Sequence, residues 1–162
     1  MIGKIKGLET KMFSTDDFLT QTFRPHGRVE STAIGRIFVQ HAKGPFNEQI
    51  VDAMKAVHGK TLSTLNSAGP WGAIFWIEDS ALTNILMLKH LTTYLKNQKK
   101  SGSKSVGTAV VIGEDVEGCN MMAPLFVKAW TDADIVSKHF KTLEEGSGWV
   151  DGLLPKISGS TT

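Results

Sequence analysis

Two apolar runs near the middle of the chain constrain the fold most strongly. Residues 72–77 read GAIFWI and residues 105–112 read SVGTAVVI, without the polar alternation of a half-exposed strand. Such runs are typical of parallel strands covered by helices. Each leads into a segment with helical apolar spacing. Strand alternating with helix predicts right-handed crossovers onto a largely parallel sheet.

A β-hairpin precedes these strands. RVESTAI (28–34) and GRIFVQHA (35–42) are short strand-like segments joined by a tight turn around Gly35. The predicted fold is therefore a single α/β domain. Its mixed sheet begins with the antiparallel hairpin and continues in β-α repeats, with about four flanking helices. The predicted strand–helix pairs are GAIFWI with LTNILMLKHLTTYLKNQ, SVGTAVVI with NMMAPLFVKAW, and ADIVS with FKTLEEGSGWVDGLL.

The first helix is predicted within residues 44–59, directly after the hairpin. Asn47 is the expected N-cap, because its side-chain oxygen accepts from an unpaired N–H at a helix start. Phe46 and Val51 flank this cap as a hydrophobic staple. Gly59 is expected to end the helix.

Length and composition favour one soluble domain. The 162 residues are 41% hydrophobic and 21% charged, with a net charge of +2 that predicts neither nucleic acid nor an anionic membrane as partner. The single Cys119 excludes an internal disulfide and suits a reducing cytosol. No apolar run reaches the roughly 20 residues of a membrane helix, and no signal-peptide pattern begins the chain. We therefore expect a cytoplasmic protein without membrane insertion.

Three parts are predicted along the chain. Residues 1–25 are weakly periodic and form an N-terminal extension, whereas residues 26–156 carry the α/β pattern. Residues 157–162 are small and polar, which predicts a disordered tail.

Nucleotide and metal motifs are absent from the sequence. Gly59-Lys60-Thr61 resembles the end of a P-loop, but Met54 stands where that motif requires glycine, and the triplet follows a helix rather than a strand. No G-x-G-x-x-G follows a predicted strand. The five histidines form no H-x-x-x-H pair. We expect no cofactor and no metal.

Catalytic groups do not assemble in the sequence either. Cys119 precedes a helix, which could lower its thiol pKa, but no local histidine accompanies it. The cluster of Glu114, Asp115 and Glu117 follows a strand end and is interpreted as a solvated loop. Several lysines near the end of the second helix offset its dipole. The prediction is that the protein has no catalytic residues and is not an enzyme.

The predicted third helix carries an unusually soft apolar face. Met121, Met122, Phe126 and Trp130 lie at spacings that place apolar groups along it. One interpretation is a pocket for a small apolar ligand or lipid, because Met and aromatic side chains adapt to irregular shapes. The other is ordinary packing of the helix on the sheet.

The loop after GAIFWI is the remaining candidate site. It contains Asp79, Ser80 and Thr83 and ends a strand at the edge of the sheet where α/β proteins bind ligands. A kinase or a partner protein would read this loop, with Ser80 as the phosphoacceptor. The alternative is capping, in which Asp79, Ser80 or Thr83 begins the next helix. With Thr83 as the cap, Leu82 and Met87 would form a staple.

Three stretches of the chain resemble STAS domains, the fold shared by anti-sigma-factor antagonists and the cytoplasmic tails of sulfate transporters. The resemblance covers about residues 26 to 154. Its last stretch is similar to an uncharacterised bacterial branch of this superfamily. The stretches read HGRVESTAIGRIFVQHAKGPFNEQIVDAM, WGAIFWIEDSALTNILMLKHL and IVSKHFKTLEEGSGWVDGLL.

The resemblance implies a regulatory or protein-interaction module without chemistry. In the antagonist branch a serine after the third strand is phosphorylated, commonly within Asp-Ser-Ser-Gly. Asp79-Ser80 occupies a comparable place here and is followed by Ala81-Leu82. The expected partner is a protein of unknown identity that contacts residues 78–84. A homodimer is compatible with a domain of this size.

Overall fold

One mixed sheet organises the part of the chain that the computed structural model describes, residues 12–17 and 26–156. Its strands are hydrogen-bonded side by side in chain order. The second strand is antiparallel to both the first and the third, and the third to sixth strands are parallel to one another. They are β1 (Phe13–Ser14), β2 (Arg28–Ile34), β3 (Ile37–Lys43), β4 (Trp71–Glu78), β5 (Ser105–Ile112) and β6 (Ser137–Phe140).

Helices cover the two faces unequally. Right-handed crossovers that all advance the same way across a sheet place their helices on one face, so the first three helices lie side by side. The fourth helix packs on the opposite face over β4, β5 and β6. The helices are α1 (Gln49–Ala68), α2 (Ile85–Lys100), α3 (Cys119–Thr131) and α4 (Leu143–Leu153).

Side chains of the central strands alternate between the two faces of the sheet and contribute to a hydrophobic core on each face. Phe75 and Ile77 of β4 are fully buried against the three-helix layer. Ile74, their neighbour, packs under α4 with Val150. Glycines allow this close approach: a methyl group at Gly72 would lie 2.3 Å from Val150 Cγ1. The predicted mixed-sheet α/β fold with four helices is therefore confirmed.

Helix α1 corrects two local predictions. It continues through Gly59 to Ala68, because Leu62 and Leu65 extend its buried stripe and outweigh the roughly 1 kcal/mol cost of a helical glycine. Its N-cap is Glu48, without a side-chain capping bond. Asn47 instead accepts a hydrogen bond from the backbone N–H of His26 through Oδ1 (2.9 Å).

The ends of the domain also differ from expectation. The sequence pattern predicts the last strand at residues 133–137, but it spans Ser137–Phe140, because Ile135 is held in the turn after α3 by a bond from its N–H to the carbonyl oxygen of Trp130. Within the predicted N-terminal extension, β1 pairs with β2 and so extends the sheet. A single 3-10 turn, Thr15–Asp17, follows β1. Residues 1–11 and 18–25 of that extension lie outside the described residues, as does the predicted tail at 157–162.

Candidate functional site

Three loops meet at the carboxyl edge of the parallel strands. The loop of residues 78–84 lies between the loops that follow β3 and β5. The N–H of Phe46 donates to the carbonyl oxygen of Leu82 (2.9 Å), and the N–H of Ala81 donates to that of Glu117 (2.9 Å). Because backbone bonds hold it on both sides, this loop is a fixed part of the fold.

Ser80 is packed inside this junction. Its residue surface is 4% exposed, and its Oγ accepts a hydrogen bond from the N–H of Leu82 (3.2 Å). A methyl group at Gly44 would lie 2.1 Å from the Ser80 carbonyl oxygen, so the neighbouring loop leaves no room beside it. A kinase would have to open the loop to reach the hydroxyl. The geometry therefore favours a structural role for Ser80.

The other two residues of the predicted loop site have different surroundings. Asp79 is exposed and adopts a left-handed backbone conformation (φ 66°). Thr83 donates through Oγ1 to the carbonyl oxygen of Phe46 (3.0 Å). Asp79, Ser80 and Thr83 do not cap α2. The cap is Asn84, whose Oδ1 accepts from the N–H of Met87 (2.9 Å), so the predicted capping residues were wrong.

Four large apolar side chains project into solvent near this edge, two directly after the Asn84 cap and two on α3. Exposed fractions are 60% for Ile85, 55% for Leu86, 60% for Met121 and 39% for Leu125. We call these four residues the apolar patch. Ile85 and Leu125 line one groove of about 520 Å³ between α2 and α3. Met121 lies one helical turn before Leu125, on the same face of α3.

Positive charge continues from the apolar patch along the groove. Lys89, Lys96 and Lys128 line it together with Asp132. Lys128 Nζ pairs with Asp132 Oδ2 at 2.6 Å. Lys89 and Lys96 make no ion pair within the described residues, so the groove has a positive balance.

Three of the four residues predicted to line an apolar ligand pocket lie in the core. Met122, Phe126 and Trp130 are at most 2% exposed and belong to the core under the three-helix layer, whereas Met121 faces solvent. The rings of Phe126 and Trp130 pack on Phe75, with centroids 6.0 and 5.2 Å away. The three buried residues are spaced four apart and share the inner face of α3, which Met121 does not.

The acidic loop after β5 holds an exposed ion pair. Lys141 Nζ lies 2.5 Å from Glu114 Oε1, and this contact lowers the pKa of Glu114 and raises that of Lys141. Nearby, Cys119 is buried, and its Sγ lies 3.6 Å from the Ile112 carbonyl oxygen, a weak hydrogen bond. Burial, followed by the charge of Glu114, raises the thiol pKa. This environment opposes a thiolate nucleophile at neutral pH.

Two imidazole–carboxylate pairs are not predicted by any pattern in the sequence. His41 Nε2 lies 2.6 Å from Glu78 Oε1, and the ring stacks on Trp76 with centroids 3.9 Å apart. His90 Nε2 lies 2.8 Å from Asp52 Oδ1. Only strand register and helix packing bring these residues together. Across residues 12–17 and 26–156, no group of three or more His, Cys, Asp or Glu side chains is arranged to hold a metal ion.

Comparisons with protein-family models, with curated proteins and with solved structures give no match for this chain. None of the helices in the described ranges combines the length and apolar character needed to cross a membrane.

Proposed function

We propose that this protein is a non-catalytic, STAS-like interaction module that binds a protein partner through the apolar patch. The observation that carries this proposal is the exposure of Ile85, Leu86, Met121 and Leu125 on the N-terminal halves of two neighbouring parallel helices. Ile85 and Leu125 share one groove, and an exposed apolar surface around such a groove is typical of interaction sites.

The groove suggests the form of the partner. Two parallel helices with a furrow between them present a surface on which the apolar side of a third helix can pack. Unpaired Lys89 and Lys96 farther along the groove favour acidic side chains on that helix. We therefore assign the partner's contact segment as an acidic amphipathic helix.

The loop of residues 78–84 contributes by holding the start of α2. Its backbone bonds to both neighbouring loops fix the position of Asn84, and the Asn84 cap sets the start of α2, which carries Ile85 and Leu86. In this proposal the loop is a support beneath the contact surface, and Ser80 acts through packing.

Peptide selection tests the proposal even while the identity of the partner is open. The full chain is immobilised and used to select helical peptides from a random display library. We expect enriched peptides to carry apolar residues at helical spacing and a net negative charge. Leu86→Ser combined with Leu125→Ser should weaken their binding at least about tenfold. Lys89→Glu combined with Lys96→Glu should weaken it as well.

Val136→Ser is the matched control, because Val136 is 57% exposed and lies outside the apolar patch. It should leave peptide affinity unchanged. Selected peptides that bind the patch variant as tightly as the original chain would overturn the proposal. Sedimentation that shows a dimer abolished by Leu86→Ser and Leu125→Ser would assign the surface to a second copy of this chain instead.

A further inference from the structure

A second groove lies at the opposite end of the same helix layer. It runs between the C-terminal halves of α1 and α2, beside Trp71 at the start of β4 and the loop before β5, and has a volume of about 560 Å³. Leu62, Trp71 and Tyr94 give it an apolar part. Hydroxyl and amide side chains line the rest, among them Ser63, Asn66, Ser67, Asn97, Ser101 and Ser103.

A small cavity adjoins this groove. Leu62, Trp71, Tyr94 and Gln98 line both spaces, so the cavity borders directly on the groove. The cavity measures about 20 Å³, which is room for one water-sized polar group.

His58 contributes an unpaired polar atom to the cavity wall. The residue is 1% exposed, and no described residue hydrogen-bonds to its Nε2. Its ring meets Phe38 edge to face, with centroids 5.0 Å apart. Burial lowers the pKa of His58 to about 3, so the imidazole is neutral near pH 7. Buried polar atoms nearly always have a hydrogen-bond partner, so Nε2 is available for one bond that no described residue supplies.

We propose that the groove between α1 and α2 binds a neutral, hydroxyl-bearing ring compound of up to nucleoside size, and that one ligand hydroxyl enters the cavity and bonds His58 Nε2. A hydroxyl both donates and accepts, so it satisfies either tautomer of a neutral imidazole. The apolar part of the groove accommodates the ring, and the serine and amide side chains take the remaining hydroxyls.

Local charge argues for a neutral ligand. The C-terminal ends of two helices lie here, and their partial negative charge disfavours an anion. Lys55 and Lys104 line the groove with no acidic residue beside them, so they disfavour a cation, and the helix ends offset their attraction for an anion. This site is separate from the apolar patch and does not depend on the proposed partner.

The test observes His58 directly in the full chain. With ¹⁵N-labelled histidine, long-range ¹H–¹⁵N spectra report the hydrogen bonding of the His58 ring nitrogens. The probes are adenosine, uridine, glucose and myo-inositol at millimolar concentration, with adenosine monophosphate and glucose 6-phosphate as charged counterparts. We expect at least one neutral probe to shift the Nε2 signal saturably, and its phosphorylated counterpart to bind more weakly.

A matched pair of variants locates the binding. Ser63→Trp fills the groove from an exposed position of α1 and should abolish the shift. Ala56→Trp adds the same bulk at an exposed position of α1 outside the groove and should preserve it. Three results would overturn the proposal: no shift with any neutral probe, stronger binding of the phosphorylated probes, or a shift that persists in Ser63→Trp. An Nε2 signal that reports only a bound water, unchanged by every probe, counts as the first of these.

Discussion

The two ends of the three-helix layer are built in opposite ways. At the carboxyl edge, neighbouring loops bind each other through backbone hydrogen bonds, and the side chains that project outward are apolar. At the amino edge, the groove is lined mainly by polar side chains, and an unpaired imidazole nitrogen lies beneath it. Apolar surface on a rigid support suits a macromolecular partner, whereas a polar groove above a buried polar atom suits a small ligand.

The largest effect is expected where the carboxyl edge is most tightly closed. Ser80→Asp places a carboxylate in a site that is 4% exposed, and we expect it to lower the free energy of unfolding by about 4 kcal/mol. Urea denaturation measures this change. Ser63→Asp, at an exposed helical serine, should cost less than about 0.5 kcal/mol. Equal stability of Ser80→Asp and the original chain would mean that the loop opens freely, and the phosphoacceptor interpretation would regain support.

Two adjacent methionines of α3 differ in environment: Met122 lies in the core and Met121 in the apolar patch. Met122→Ala should lower the free energy of unfolding by about 3 kcal/mol, because it removes a side chain that is 2% exposed. Met121→Ala should change it by less than about 0.5 kcal/mol and weaken binding of the selected peptides. Thermal unfolding of the two variants measures both stability changes. Similar small losses in both would favour the ligand-pocket interpretation of this helix over core packing.

The amino edge should respond to acid through His58. Its pKa is about 3 in the folded state and near 6.5 when unfolded, so the unfolded chain binds the extra proton. The stability that depends on neutral His58 is complete above pH 6.5 and is lost as the pH falls toward 3. Between about pH 6 and pH 4 we expect a loss of roughly 2.5 kcal/mol that the His58→Leu variant lacks. Parallel stability curves for the two proteins would place His58 in contact with water.

The smallest effect concerns the cap that orients the apolar patch. Asn84→Ala removes the bond from the Met87 N–H to Oδ1 and should cost about 1 kcal/mol. Asn120→Ala changes an exposed asparagine that does not cap α3 and should cost less. Chemical denaturation measures both variants. An equal cost for the two would show that Asn84 does not determine where α2 begins.

Sequence periodicity was sufficient for β2 to β5, whereas β1 was not predicted and β6 was predicted at the wrong residues. The predicted bounds of β2 and β5 match the structure, since buried strands end where polar turn residues begin. Helix ends were harder to predict. A glycine often ends a helix, but α1 continues through Gly59, and the packing of Leu62 and Leu65 explains why.

The site was less predictable than the fold. Ile85 and Leu86 belong to the same apolar run as the buried Met87 and Leu88, and the packing of α2 on the core decides which of them face solvent. The burial of Ser80 depends on backbone bonds to two distant loops, which leave no local pattern. His58 likewise occupies a helical core position where a histidine gives no sign that its nitrogen lacks a partner.

The most direct test is a titration of the ¹⁵N-labelled full chain with the selected acidic helical peptide, followed by backbone amide spectra. Binding at the apolar patch predicts that the largest shift changes fall on residues 85–89 and 121–125, at the start of α2 and along α3. Changes concentrated on α4, or on the sheet face around Trp76, with the first turns of α2 and α3 unaffected, would contradict it.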